Sequence, residues 1–388
     1  MRLCVASHKE CWQAADGRWM SSGGFPRQME GLASIFDSIT LVVVAGGPRS
    51  GGGPLPASAS VIALRPPSGT DARRKASIAA NLGYYLGALS DAFRRVDAVH
   101  VPLPGDISLL GLLTALRLRK PLLARYGGSW GGDGETTLMN RVTRSCIRRF
   151  AGGRNVMLVT GEGPAPPAPG VSWIFSTALT DAELAAIRPA THAALRNPPS
   201  LVYAGRLSPE KGVDVLLEAM ALLRREGLDP MPMVRICGDG PERAPLKRLA
   251  AALGIADLVT FTGQLDRVAL GGAFVSADLC VQPSRTEGFS KAWLDAMAHG
   301  LPVVTSDVGA ARAVIGADGQ RGWVTAPGDA PALAGRLREI LASGTIDWRA
   351  MRARCRAHVE GRTLEAWARE VEMRCTAAWG RPTRSASS

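Results

Sequence analysis

Residues 277–315 read ADLCVQPSRTEGFSKAWLDAMAHGLPVVTSDVGAARAVI, and this stretch decides the class of fold. A short apolar run, Leu279–Gln282, predicts a buried strand that ends in a loop with a proline. The motif Glu287–Phe289 then opens a predicted helix that continues to Ala298, where glycine and proline stop it. A second apolar run, Pro302–Ser306, predicts the next strand. Strand, helix and strand in this order are typical of a parallel α/β sheet.

The same alternation extends over the 388 residues and restarts after a Pro- and Gly-rich stretch at 162–170. We predict an α/β protein with two Rossmann-like domains whose parallel sheets face each other across a cleft. The predicted domains are residues 1–190 and 200–360, with a junction near 190–199. A helix at 361–379 is expected to return to the first domain. The predicted strands are Leu3–Ala6, Thr40–Val44, Val61–Ala63, Ala98–Val101, Leu122–Ala124 and Asn155–Val159, then Ser200–Ala204, Met233–Cys237, Val259–Phe261, Leu279–Gln282, Pro302–Ser306 and Gly322–Val324.

Composition indicates a globular protein in a reducing compartment. Hydrophobic residues make up 46% and charged residues 21% of the chain, an ordinary balance for a folded protein. The seven cysteines are scattered without a Cys-x-x-Cys pair, which argues against a zinc site or a disulfide framework. No apolar run approaches the ~20 residues that span a bilayer, and the N-terminus lacks a signal pattern. We therefore expect a cytoplasmic protein, soluble or peripheral at the inner face of the membrane.

The net charge of +12 is concentrated in the first 190 residues. Among the basic clusters there, Arg141, Arg144 and Arg148 have the spacing of one helix face. An anionic membrane or an anionic glycan carrier is one explanation for this charge, and a solvated face of an arginine-rich protein is the other. Nucleic acid is disfavoured because no aromatic residues are interleaved with the basic ones.

Two carboxylates in the deciding stretch are candidates for binding a sugar nucleotide. Free amides at a helix N-terminus attract phosphate, and Gly288 lets a ligand approach the backbone. The Glu287 carboxylate can accept hydrogen bonds from sugar hydroxyls. Asp295 is predicted to lie a little over two turns further along the same helix, within reach of a more distant hydroxyl pair. The alternatives are a helix cap for Glu287 and a solvated surface acid for Asp295.

The segment LVYAGRLSPEKGVDVLLEAM at 201–220 predicts a strand, a loop and a helix. Arg206 directly follows the strand and Lys211 precedes the helix, so both cations can close on one diphosphate. A solvated turn is the alternative for this loop taken alone.

Three further loops can bring backbone close to a ligand. Gly238 follows the strand predicted at 233–237, and Gln264 with Leu265 follows the next strand, where a base could lie against the backbone. Gly24 precedes a helical pattern at 29–36. A plain turn is the alternative for the loop with Gly24, and the other two loops have little specificity when taken singly.

Taken together, these segments resemble the glycosyl transferases group 1, a large family of retaining glycosyltransferases with the GT-B fold. Four ordered motifs agree in spacing over residues 201–324, and the match is looser over the first 190 residues. The resemblance implies transfer of a sugar from a UDP-, GDP- or ADP-sugar with retained anomeric configuration, without a cofactor or metal. The chain has no Asp-x-Asp metal motif.

The resemblance also implies roles for the charged residues of the second domain. Arg206 and Lys211 match the pair that neutralises the leaving diphosphate. Glu287 matches the first acid of the family's Glu-x7-Glu motif, which contacts the donor sugar, and Gly288 and Phe289 supply backbone amides. Such preorganised positive groups would stabilise the departing nucleotide diphosphate, and the acceptor hydroxyl would attack from the leaving-group face.

The remaining donor contacts follow from the same resemblance. Gly24 matches the glycine that approaches the diphosphate from the first domain. Gln264 and Leu265 lie where the base is usually held, and Gly238 belongs to the neighbouring donor-binding loop.

The chain departs from the family at two places. Asp295 stands where a glutamate usually holds the ribose hydroxyls, and it is one methylene shorter. Many members have a His-Gly pair after the strand at 122–124, and Gly127 stands in the place of that histidine. Ser129 and Asp133 are the acceptor-side candidates to replace it, unless the acceptor pocket is built differently.

Other functions fit part of these observations. An epimerase or a glycogen-type synthase on the same scaffold would have the same second domain. A non-catalytic sugar-nucleotide-binding subunit would explain the two departures, although Arg206, Lys211 and Glu287 argue against it. A dehydrogenase fails because no Gly-x-Gly-x-x-Gly motif opens the first βαβ unit. The basic first half favours a glycan or polyprenyl-diphosphate-linked acceptor and a role in exopolysaccharide or related surface-glycan biosynthesis.

Overall fold

The computed structural model describes residues 1–48, 52–130 and 137–384. The chain divides into a first unit, Met1–Ala178 with Leu364–Ser388, and a second unit, Leu179–Thr363. The first boundary lies earlier than the junction predicted at 190–199, because the segment after residue 179 is bonded to the second unit. The Ala190 amide donates to the His299 carbonyl (2.9 Å), and the Arg196 guanidinium donates to the Ala277 carbonyl (2.8 Å).

Within the described residues, nine strands form the sheet of the first unit. They are β1 (Arg2–Gln13), β2 (Trp19–Ser22), β3 (Ser38–Ala45), β4 (Gly52–Pro54), β5 (Ser60–Leu64), β6 (Ala98–Leu103), β7 (Leu122–Tyr126), β8 (Asn155–Thr160) and β9 (Val171–Ile174). Strands β5, β3, β1, β6, β7, β8 and β9 run parallel in this order. The far end of β1 continues beyond the parallel part and pairs with β2 antiparallel, and β2 pairs with β4 in the same way.

The second unit contains a parallel sheet of six strands among the described residues, in the order β12-β11-β10-β13-β14-β15. They are β10 (Ser200–Ala204), β11 (Met233–Cys237), β12 (Val259–Gly263), β13 (Leu279–Gln282), β14 (Val303–Ser306) and β15 (Gly322–Thr325). The bounds of β10, β11 and β13 are those predicted. Parallel pairing in both units confirms the predicted α/β class, since helical connections cover both faces of such sheets.

Helices connect most of these strands. They are α1 (Phe25–Ile35), α2 (Asp71–Ala80), α3 (Leu82–Arg94), α4 (Asp106–Arg117), α5 (Leu138–Phe150), α6 (Asp181–Ala186), α7 (Val213–Arg225), α8 (Arg243–Ala252), α9 (Arg267–Val275), α10 (Lys291–Ala298), α11 (Ala311–Ile315), α12 (Ala330–Ala342), α13 (Trp348–Val359) and α14 (Leu364–Trp379). Helices α2 and α3 are separate, because the chain leaves helical geometry at Asn81 (φ −108°, ψ 17°). None of the helices in the described ranges is long and apolar enough to cross a bilayer.

The sheet of the first unit has a hydrophobic core on each face. One core contains side chains of α1 and α14 together with Leu3, Leu123 and Leu158. The other contains side chains of α3 and α4 together with Val99, Ala124 and others. Helix α14 comes from the end of the chain, yet it packs on α1 and β8. The first unit is therefore completed only after the second unit has been traversed.

Candidate functional site

The predicted donor-binding residues of the second unit lie at one edge of its sheet. Arg206 follows β10, Gly238 follows β11, Gln264 follows β12 and Glu287 follows β13. The four strands are neighbours in the sheet and run parallel. Because the carboxyl ends of parallel strands meet at the same edge, the loops that carry these residues converge there.

Lys211 and Glu287, which the sequence placed on separate loops, form a direct ion pair between Nζ and Oε2. The two side chains are 23% and 16% exposed, so the pair is partly shielded from water without being buried. The other carboxylate oxygen of Glu287 accepts the amide of Gly288 at 3.2 Å. The predicted acid and one of the two predicted cations thus share a single site.

Close backbone contact holds the two loops of this ion pair together. Gly212 has φ +65°, and a Cβ there would lie 2.0 Å from the Pro283 carbonyl oxygen, so only glycine fits. The Arg285 amide donates to the Glu210 carbonyl (2.9 Å). The Arg285 guanidinium makes a bidentate ion pair with the Asp214 carboxylate (2.8 and 2.6 Å). This contact between the two loops was not predicted from the sequence, although the glycine after Lys211 was a signal for it.

Arg206 is the cation that remains open at the edge. Its side chain is exposed, and no described residue forms an ion pair with it. The buried Tyr203 hydroxyl donates to the Arg206 carbonyl at 2.9 Å, which fixes the backbone from which the guanidinium extends. Burial, together with the nearby charge of Glu287, raises the pKa of this tyrosine, so its hydroxyl stays protonated and keeps the bond.

The prediction that Glu287–Phe289 opens a helix is wrong. Helix α10 begins at Lys291, and Ser290 is its N-cap residue with extended backbone (φ −84°, ψ 122°). The preceding residues are held by other bonds, because the Gly288 carbonyl accepts the Ala310 amide (3.0 Å). Gly309 lies against this segment so closely that a Cβ would be 2.2 Å from the Gly288 oxygen. The Gly288 and Phe289 amides therefore precede the helix and do not belong to its first turn.

Gly238 is confined by its neighbours. It has φ +152°, and a Cβ there would lie 1.8 Å from the Gly205 carbonyl oxygen. Its amide donates to the Gly263 carbonyl (2.9 Å), which joins the loops after β10, β11 and β12. Gln264, which is exposed, and Leu265, which is half-buried, follow directly. The structure thus places the predicted base-binding pair on a loop tied to Gly238.

Asp295 lies within α10 and meets a cation instead of solvent. Its carboxylate is 3.4 Å from the Arg267 guanidinium, which also pairs with Glu183 at 3.0 Å. Burial raises the pKa of Asp295, and the Arg267 charge opposes this shift. These three residues, with Phe274 and His299, line a pocket of about 510 Å³ within the second unit. The solvated-acid alternative for Asp295 therefore does not hold.

The predicted residues of the first unit occupy a separate set of loops. Gly24 is the N-cap residue of α1, and its carbonyl accepts the Gln28 amide at 3.2 Å. The helix starts at Phe25, four residues before the predicted pattern. Gly127 and Ser129 follow β7, the first exposed and the second half-buried. Asp133 lies outside the described residues.

Comparison with known proteins agrees with this geometry. The family described as glycosyl transferases group 1 matches residues 188–360. Alpha-D-kanosaminyltransferase of Streptomyces kanamyceticus is 31% identical over 53% of this chain and 57% of its own length. D-inositol 3-phosphate glycosyltransferase of Jonesia denitrificans is 43% identical over 28% of this chain and 27% of its own length. The chain thus matches little more than half, or less, of these relatives.

Solved structures resemble the chain over almost its whole length. Sucrose-phosphate synthase from Thermosynechococcus elongatus has a TM-score of 0.71 at 20% identity and covers 98% of this chain and 99% of its own. HepE of Anabaena, in complex with UDP and glucose, has a TM-score of 0.70 at 18% identity, with coverage of 97% and 100%. At such identities the likeness establishes the fold, which is the GT-B fold predicted from the sequence.

Proposed function

Because residues 188–360 match the glycosyl transferases group 1 family, we propose that this chain is a nucleotide-sugar-dependent hexosyltransferase that retains the anomeric configuration. The observation that carries the proposal is the ion pair of Lys211 with Glu287, on loops at the same edge of the sheet as the exposed Arg206. Cations suited to a leaving diphosphate and an acid suited to a sugar on these loops support a donor site at this edge.

Charge at this edge suits a diphosphate leaving group. Arg206 contributes a net positive charge and a planar fork for phosphate oxygens. Lys211 is neutralised by Glu287, so its ammonium can bridge the carboxylate and a phosphate oxygen once the donor arrives. As the sugar–phosphate bond breaks, negative charge grows on the diphosphate, and preorganised cations then stabilise the transition state more than the ground state. The complex of HepE with UDP and glucose supports a donor of this class.

The acid and backbone groups would position the sugar and the ribose. Glu287 accepts hydrogen bonds from sugar hydroxyls through Oε1, the oxygen that also accepts the Gly288 amide, and Phe289 supplies a further backbone amide. Asp295 holds the ribose when Arg267 shares its carboxylate with the ligand. Gly238, Gln264 and Leu265 receive the base, and Gly24 approaches the diphosphate. Because glycine stands at 127, no side chain of that residue touches the donor, and Ser129 or Asp133 serves the acceptor side.

The experiment for the donor site is a thermal-shift screen of the purified chain against UDP, GDP, ADP and their common sugars. A binding nucleotide at 100 times its Kd adds about 2.7 kcal/mol to the free energy of unfolding. We expect one nucleotide to stabilise the protein, and the Arg206→Ala variant to lose this effect while folding normally. Glu287→Ala should weaken the sugar nucleotide more than the free nucleotide. No shift with any nucleotide at millimolar concentration would contradict the proposed donor site.

The acceptor side of the proposal is a glycan or polyprenyl-diphosphate-linked acceptor of surface-polysaccharide synthesis, reached from an anionic membrane surface. Helix α5 supports it, because its solvent face combines Arg141 and Arg148 with exposed apolar side chains. Leu138 is 67% and Val142 42% exposed. A helix face that combines basic and apolar side chains favours binding at a lipid interface. Arg144, predicted on the same face, is instead bonded to the Trp130 carbonyl (3.0 Å).

Vesicle co-sedimentation tests the membrane part at low salt. We expect binding to vesicles containing phosphatidylglycerol and none to phosphatidylcholine alone. The double variant Arg141→Glu/Arg148→Glu should lose binding, since each basic residue near such a surface contributes about 1 kcal/mol. The matched control, Arg225→Glu/Arg248→Glu, changes two exposed arginines of the second unit by the same charge. Equal loss of vesicle binding in both double variants would show that binding depends only on net charge. The proposed membrane association would then be wrong.

A further inference from the structure

A group of polar side chains lies at the carboxyl end of the first unit's sheet, on the face covered by α1 and α14. Arg125 on β7 donates from Nη2 to the Gln28 side-chain oxygen of α1 at 2.7 Å. The ring of Trp367 on α14 lies 5.8 Å from the guanidinium carbon. An aromatic face and a hydrogen bond thus orient the guanidinium at the end of the strand.

No carboxylate of the described residues pairs with Arg125. Its side chain is half-buried. Its Nε atom is shielded from solvent and has no hydrogen-bond partner among the described residues. Burial is the one cause that lowers its pKa, to about 10. An arginine still carries its charge at that value, and an uncompensated charge out of water is destabilising. A cation kept in this state is well placed for an anion that arrives with a ligand.

The neighbouring strands supply no anion. His100 on β6 is bonded to the Leu123 carbonyl (2.9 Å), and burial, with the nearby charge of Arg125, lowers its pKa to about 3. It is therefore neutral near pH 7.

Thr160 adds a hydroxyl group on the same face of the sheet, near the carboxyl end of β8. The register of β7 and β8 pairs Arg125 with Leu158, and Leu158 belongs to the core under α1 and α14. Side chains alternate along a strand, so Thr160, two residues further, is on that same face and nearer the carboxyl end. It is 5% exposed, and its Oγ1 has no hydrogen-bond partner among the described residues.

We propose that Arg125, Gln28 and Thr160 form a subsite in the first unit for an anionic group, a phosphate or a carboxylate, on the acceptor. The naming of the anion as part of an acceptor rests on the proposed transferase function, but the anion site itself does not. The guanidinium fork receives two oxygens, the Thr160 hydroxyl donates to one of them, and the Gln28 side chain holds the fork in place. The anion supplies the negative charge that the described residues around Arg125 lack.

Isothermal titration of the full chain tests the subsite with glucose 6-phosphate, glucuronate and glucose as probes. All titrations use the Arg206→Ala variant, which weakens anion binding at the donor edge. We expect an anionic probe to bind more tightly than glucose. Adding Arg125→Met should weaken that probe by about 10- to 100-fold, the loss of a charge-assisted hydrogen-bond pair, and leave glucose unchanged. The matched control is Arg94→Met, which removes an exposed arginine of α3 that pairs with Asp91 (3.3 Å).

Two further variants separate the subsite from a purely structural role of Arg125. Arg125→Lys keeps the charge without the fork and should bind the anionic probe at an intermediate level. Thr160→Val should weaken it without loss of thermal stability. Which probe binds identifies phosphate or carboxylate. Binding of anionic probes no tighter than glucose, or undiminished in Arg125→Met, overturns the subsite. A UDP shift that persists in Arg125→Met protein would leave the proposed donor site standing in that case.

Discussion

At the scale of single residues, the ion pair makes the stability contributions of Lys211 and Glu287 depend on each other. Lys211→Met leaves a half-buried carboxylate without its cation, and an unsatisfied charged group costs about 1–3 kcal/mol or more. The double variant Lys211→Met/Glu287→Gln removes that charge as well. We therefore expect urea denaturation to give a larger loss for the single variant than for the double one. Additive losses would show that the two side chains do not stabilise each other.

Asp295 provides a prediction about pH at the same scale. Burial raises its pKa above the ordinary 3.8, so the folded protein favours the protonated acid. This contribution to stability is present at low pH and is lost as pH rises through the raised pKa. Asp295→Asn should therefore raise the melting temperature at pH 7, where Arg267 keeps its bond to Glu183. It should make little difference near pH 3, because Asp295 is itself uncharged there. A melting temperature that falls at pH 7 would mean that the Arg267 contact outweighs burial.

The same substitution separates stability from the proposed role. If Asp295 holds the ribose, Asp295→Asn should weaken a nucleoside diphosphate more than inorganic pyrophosphate, which has no ribose. Titration of both ligands measures this difference. Equal weakening of both ligands would show that the substitution acts on the diphosphate contacts instead of on the ribose.

At the scale of loops and elements, Gly238 controls how three loops meet. Gly238→Ala would push a methyl group to 1.8 Å from the Gly205 oxygen and displace the loops after β10 and β11. We expect a loss of stability well above the ~1 kcal/mol of backbone strain alone, together with loss of nucleotide binding. Gly227→Ala is the matched control, since it also has positive φ (+72°) with nothing within 4 Å of a Cβ. Similar losses for both, measured by urea denaturation, would contradict the steric explanation.

The elements also show what the sequence could and could not reveal. Buried parallel strands such as β10, β11 and β13 are continuous apolar runs between turn residues, so their bounds were predictable. Strands β2 and β4 were missed because they are short, because β4 consists of glycine and proline, and because they exist only where β1 continues beyond its pairing with β6. The start of α10 was misplaced because the Gly288 and Ala310 contact, which keeps Glu287–Phe289 out of the helix, joins distant segments.

The candidate site was predictable in its residues but not in its contacts. Arg206, Lys211 and Glu287 stand directly after or between predicted elements, where a charged residue type is informative by itself. The bond between Lys211 and Glu287 spans 76 positions, and no local pattern encodes it. The same holds for Arg125, because the lack of a carboxylate partner among the described residues becomes visible only when the strands and helices around it are assembled.

At the scale of the whole molecule, the stability of the first unit depends on the last helix, α14, which follows the second unit in sequence. The first unit needs α14, which places Trp367, Val371 and Cys375 in the core beside α1. Removing large buried side chains costs about 2–5 kcal/mol each, so losing several exceeds the roughly 5–15 kcal/mol that stabilises a typical protein. Truncation after Thr363 should therefore unfold the first unit.

The second unit is continuous in sequence and has its own core, so it should survive that truncation. Calorimetry of residues 1–363 is expected to show one cooperative transition, still shifted upward by the nucleotide that the full chain binds. Truncation after Arg384, which leaves α14 in place, is the control and should melt like the full chain. Loss of all cooperative unfolding in 1–363 would show that the second unit depends on the first. In that case, nucleotide binding could not be assigned to the sheet edge of the second unit alone.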